Sequence, residues 1–160
     1  MTRVNLVKVE DLADQHVLAE FRELKMVPAA LRRSLKTKSV STILSDISRT
    51  YTLNTGHVKF FYTRLQFLSK RYRHLTNELL NRNYNIEDKS GDFSPYLEGI
   101  PDEFMKLDWV PTKSEIAVNV ERIVKRINER PTWYRHYGTV MQPLYFEQLY
   151  ALQLRNEHTN

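Results

Sequence analysis

Between His57 and Asn83, Val58, Phe61, Leu65, Leu68, Tyr72, Leu75 and Leu79 recur at helical spacing without a break. A stripe that long must be buried against other elements, and the rest of the chain supplies helices rather than strands to cover it. Lys59, Lys70, Arg71 and Arg73 decorate the outside of this helix, and the stripe itself carries no chemistry. With 160 residues there is room for one real core and not for two comfortable ones. The expectation is an all-α fold: a compact single domain of about three to four main helices joined by long irregular loops.

Three more helical stretches surround the first. One runs from about Glu10 to Met26 and stops before Pro28, with Leu12, Ala13, Val17, Ala19, Phe21 and Leu24 for apolar contacts. A short one starts at Pro28, a residue suited to a first turn, with Ala30, Leu31 and Leu35 inward and Arg32, Arg33, Lys36 and Lys38 outward. Residues 39–55 are irregular and rich in Ser and Thr, which reads as loop. Another helix is announced by Thr112 with Glu115 three residues later, a capping box, and Pro131 ends it. Its apolar face is Ile116, Val120, Ile123, Val124 and Ile127. The connection 85–111 carries six carboxylates from Asp88 to Asp108, should avoid nucleic acid, and lacks the tight spacing of a calcium loop. Residues 139–160 read as an amphipathic extension, packed on the body or on a second subunit.

Net charge is +5 and the sequence pI is about 9.4, a balance that suits a polyanionic partner or simply a solvated basic surface. The absence of cysteine excludes disulfides, thiolate zinc sites and thiol catalysis. Arg3, Lys8, Glu10 and Asp11 interrupt the first segment, so no signal peptide is expected, and no apolar run reaches membrane-spanning length. A cytoplasmic protein with access to DNA is the expectation.

Candidate chemistry begins at the first residues. Met1 precedes a small residue, and its trimming would leave Thr2 with a free α-amine. Such an amine titrates near ~7.8 against ~10.4 for lysine, so a useful fraction is neutral and nucleophilic at cytosolic pH. His16, Glu20 and Glu23 share one side of the first helix at spacings of four and seven, with Gln15 and Arg22 on a neighbouring stripe. This is either a solvated face or a carboxylate, an imidazole and an arginine gathered near the amine. Arg122 and Arg126 repeat at four residues, an edge suited to phosphates. The run from Arg130 to Gly138 interleaves Trp133, Tyr134 and Tyr137 with cations, as stacking on splayed bases requires, or else anchors the C-terminal region on the core. Gly56 and His57 open a helix, where backbone amides hold a phosphate or the glycine serves only its turn.

The blocks MTRVNL, LADQHVLAEFREL, GHVKFFYTRLQFLSKR and RPTWYRHYG, in this order over residues 1–138, make the chain resemble the pyrimidine-dimer DNA glycosylase/AP lyases of the phage endonuclease V type. The resemblance implies a glycosylase-like helical domain over 1–138, with 139–160 lying beyond the family's usual end. It implies cleavage of the glycosidic bond at cyclobutane pyrimidine dimers in duplex DNA, then strand nicking by β-elimination. Thr2 would be the nucleophile and Glu23 the essential carboxylate. Arg3, Gln15, His16 and Arg22 would line the site, Arg122 and Arg126 would contact DNA, and Trp133, Tyr134 and Tyr137 would recognise the damaged duplex. Met26 departs from the pattern, standing where the family carries a phosphate-binding arginine. Lys25, Arg32 and Arg33 are the candidates to compensate. No cofactor, metal or membrane is implied; the partner is dimer-containing double-stranded DNA, acted on by a monomer or by a dimer through the extension. The competing readings are a same-fold glycosylase for another damaged base and a non-catalytic basic DNA-binding module.

Overall fold

The computed structural model describes residues 4–156. In it, α1 (Asp14–Glu23) and α2 (Met26–Leu35) follow a short 3-10 turn at Val9–Asp11. Then come α3 (Val40–Ser45), α4 (His57–Phe60), α5 (Leu65–Asn81), α6 (Lys113–Glu129) and α7 (Pro143–Asn156). A two-stranded antiparallel hairpin, β1 (Arg135–His136) with β2 (Thr139–Val140), lies between α6 and α7. The fold is all-α, as expected. Among the described residues no helix is long and apolar enough to cross a membrane.

The core forms around α5, whose Leu65, Leu68, Tyr72, Leu75 and Leu79 are all buried. The expected single helix from His57 is interrupted at Phe61–Thr63 by a 3-10 turn, and Arg64 leaves helical geometry at φ −119. The cause lies in packing: Phe60, Phe61 and Tyr62 are all buried in the core, and three consecutive side chains cannot share one face of a straight helix. The turn points them inward together, and the Arg64 guanidinium covers the Phe60 ring at 3.7 Å.

The first expected helix is likewise divided. The chain turns at Val9–Asp11, starts α1 only at Asp14 and enters α2 at Met26, which places Pro28 inside the first turn of α2. Within the expected loop 39–55, the Ser39 hydroxyl accepts from the Thr42 backbone N–H and starts α3. The connection 85–111 is packed rather than loose, with Phe93, Ile100 and Phe104 buried. Thr112 and Glu115 form the expected reciprocal capping box at the start of α6.

Charged pairs bind the helices where apolar contacts end. Arg82, just past α5, donates to Asp14 at 2.8 Å and to Glu78 at 2.9 Å, and also to the carbonyls of Leu12 and Glu10. Asp14 in turn accepts from the backbone N–H groups of Tyr137 and Gly138, tying the hairpin to α1. The extension packs on the body: α7 lies against α6, Phe146 and Tyr150 are buried, and Gln153 accepts from the Lys8 N–H.

Candidate active site

A cleft of about 280 Å³ opens between α1, α6 and the segment before β1. Asn5, Gln15, His16 and Ala19 line one wall. Arg122, Ile123, Arg126, Glu129, Arg130, Trp133 and Tyr134 line the other. Three guanidinium groups against one carboxylate make it a site for an anion. Half-exposed Trp133 lies under Arg130 at 4.0 Å, so an aromatic face and a cation meet at the rim.

The helical spacing of the sequence explains how the walls meet. Arg122 and Arg126 stand one turn apart on α6, and Arg122 also donates to Asn54 at 3.1 Å. Gln15 works as a clamp: its amide donates to the Trp133 carbonyl at 2.7 Å, and its oxygen accepts from the Arg135 N–H. That pair of bonds fixes the aromatic segment against α1.

His16 packs at a tilt of 33° against buried Tyr134, with ring centroids 4.8 Å apart. The imidazole is partly exposed, yet its Nδ1 is sequestered and, among the described residues, has no hydrogen-bond partner. Burial, helped by the positive charge of Arg126, pushes its pKa down to about 4, so His16 is neutral at physiological pH. Burial also pushes the Tyr134 phenol up.

Glu23 ends α1 half-buried and, among the described residues, makes no hydrogen bond or ion pair. It stands one turn after Glu20, which is no part of a solvated face. Glu20 is buried and paired in two bonds with Arg71, at 2.7 and 3.1 Å. The same carboxylate accepts the backbone N–H and the side-chain amide of Asn5. Thr2 and Arg3 lie outside the described residues.

Other expected residues stand apart from the cleft. Arg22 is exposed on α1. The Lys25 ammonium lies 5.5 Å from the rings of Phe21 and Tyr96. Tyr137, at positive φ, donates to Glu78 and lies under Arg82, within the structural network that holds the hairpin. Met26 is 40% exposed at the start of α2. Arg32 is committed to the carbonyls of Tyr96 and Glu98, which leaves Arg33, exposed, as the freer cation on that helix. At the start of α4, Gly56 has φ +87, the left-handed geometry that glycine tolerates, and the His57 ring is turned inward to Val4 and Thr52. The glycine therefore serves its turn, and α4 is one turn long.

The profile of the pyrimidine dimer DNA glycosylase family matches residues 1–91, more than half of the chain. The chain belongs to this family. Membership in the pyrimidine dimer DNA glycosylases makes DNA the substrate and pyrimidine dimer glycosylase action the general activity. In this glycosylase the matched segment supplies Asn5, Gln15, His16 and Ala19 to the cleft, while Glu23 is not among the lining residues. The segment beyond it supplies Arg122, Arg126, Trp133 and Tyr134, so the cleft is completed by α6 and the residues after it.

Sequence reading missed the residues that hold the chain's first segment: Asn5, His57, Arg71 and Asn119. One signal was present. Asn119 is a lone amide within the apolar face of α6, between Ile116 and Ile123, and it is fully buried. A buried amide needs partners, and these lie more than a hundred residues away.

Proposed function

We propose that this glycosylase works through the α-amine of Thr2, exposed by removal of Met1, and couples base release to strand nicking. The amine nitrogen bonds C1′ of the 5′ pyrimidine's deoxyribose as the glycosidic bond breaks, and the opened sugar becomes an imine. Removal of a C2′ proton then expels the 3′ phosphate by β-elimination. Glu23 stabilises the positive charge that develops on the sugar and assists the later proton removal.

The observation that carries this reading is the anchorage of Asn5 to Glu20, one turn from Glu23 on the same side of α1. One residue, Arg3, separates Val4 from Thr2, a chain span of at most ~7 Å. On this reading the amine works within reach of the Glu23 carboxylate. The cleft beside it offers Arg122 and Arg126 to phosphates, and Trp133 and Tyr134 to the distorted duplex. Gln15 and His16 complete the wall, and Arg3, Arg22 and Lys25 add charge along the DNA path. Tyr137 stands beside Arg82, outside the cleft.

Borohydride trapping on a duplex with one cyclobutane thymine dimer tests the nucleophile, with mass mapping of the adduct. The expected adduct is on Thr2. An adduct on a lysine, or none from protein that begins at Thr2, would refute the assignment. Glu23→Gln is expected to keep binding to damaged DNA and to abolish cutting. Equal cutting by both proteins would remove Glu23 from the mechanism.

A further inference from the structure

Residues 4–8 form no regular element, yet side chains from distant parts of the fold hold their backbone. The Val4 N–H donates to His57 Nε2 at 3.2 Å, and the Val4 carbonyl accepts from the Tyr51 hydroxyl. Asn5 is held by Glu20, the Val7 carbonyl accepts from Arg71 at 2.7 Å, and the Lys8 N–H reaches Gln153. At the centre stands Asn119 of α6. Its Oδ1 accepts from the Leu6 N–H at 2.7 Å and from the Val7 N–H at 3.4 Å, and its Nδ2 donates to Asn5 Oδ1 at 3.0 Å. Asn119 is wholly buried, and its neighbours Ile116 and Ile123 are apolar core. Burying an amide there is costly unless its bonds are made, so an apolar residue would serve stability alone.

We infer that Asn119 is a positioning residue for the N-terminal amine: it sets the register of residues 5–7 on α1, and so the place from which the amine attacks. The inference rests on the reading of Thr2 as nucleophile. An extended segment without such bonds could slide or twist, and misplacement of a nucleophile by about 1 Å costs up to about a hundredfold in rate. Glu20 and Arg71 serve the same end from α1 and α5. Asn119 joins Asn5, whose side chain lines the cleft, to the last long helix, which also carries Arg122 and Arg126. Phosphate-binding cations and the nucleophile's tether therefore share one rigid element.

The test is single-turnover imine formation, read by borohydride trapping on an abasic-site duplex, with DNA affinity and melting temperature measured alongside. Asn119→Leu is expected to slow trapping about ten- to a hundredfold at unchanged DNA affinity. The rate–pH inflection should stay in place, because the amine is displaced rather than retitrated. Asn119→Asp, which still accepts from Leu6 and Val7, should recover part of the loss; if the leucine variant does not fold, the aspartate variant decides. Ile43→Ala, a core variant within α3 with no part in gripping the segment, controls for destabilisation and should keep the wild-type trapping rate. Wild-type trapping rates in the Asn119 variants, or an equal loss in Ile43→Ala at matched melting temperature, would overturn the positioning role. A wild-type protein that gives no N-terminal adduct would overturn the nucleophile and the positioning role together. Adduct formation undiminished in the variants would overturn the positioning role alone.

Discussion

His16 keeps its imidazole neutral where three arginines gather, because burial and the Arg126 charge both oppose a second proton. Arg126→Ala removes the smaller of the two causes, and the His16 pKa should rise from about 4 toward its ordinary 6.5, as histidine resonances followed by NMR would report. The same depression makes His16 a source of acid sensitivity. Its folded pKa lies below the unfolded value, so its contribution to stability is complete above about pH 6.5. It is lost as the pH falls toward about 4, where the unfolded chain binds a proton and the folded one does not. For a partly exposed ring the loss should be on the order of 1–3 kcal/mol, measurable as a fall in denaturant midpoint that His16→Gln abolishes.

Among the elements, those whose cause is local were legible in the sequence and those whose cause is distant were not. The stripe of α5 and the Thr112–Glu115 cap of α6 each need residues only three or four positions apart, and both are present. The break at Phe61–Thr63 depends on three adjacent aromatics finding the same core, which no helical period encodes. Glu20 shares a helix side with His16 and Glu23, so spacing alone assigns it to a polar face; its partner Arg71 is 51 residues away. The cleft was legible in pieces, as the basic edge of α6 and the aromatic run after it. The roles of Asn5 and Asn119 were not, because Asn119 finds its partners more than a hundred residues away, although its amide within an apolar face was visible. The Arg82 junction of α1, α5 and the hairpin has the same long-range origin, and its groups are almost wholly buried. Arg82→Met would leave Asp14 and Glu78 without their cation and should cost about 3–5 kcal/mol in urea unfolding. Thr112→Ala, at an exposed cap, should cost only about 1 kcal/mol.

At the scale of the molecule, the proposed DNA path over the basic face predicts how salt should weaken binding. Arg122 and Arg126 look onto the cleft from α6. Replacing either with Ala should lower the slope of log affinity against log salt by about 1, on damaged and undamaged duplex alike. Met26 is 40% exposed at the start of α2. Met26→Arg should raise that slope by about 1 and tighten binding at low salt; an unchanged slope would mean that DNA does not pass over α2.

The grip on residues 4–8 also orders events during synthesis. Residues 4–8 leave the ribosome well before the groups that hold them. Leu6 and Val7 must wait for Asn119, more than a hundred residues later, and Lys8 for Gln153. On the reading of Thr2 as nucleophile, a nascent chain carries the amine through the translation of α1 to α5 without all the contacts that aim it. The grip on residues 4–8 is complete only once α6 and α7 have followed.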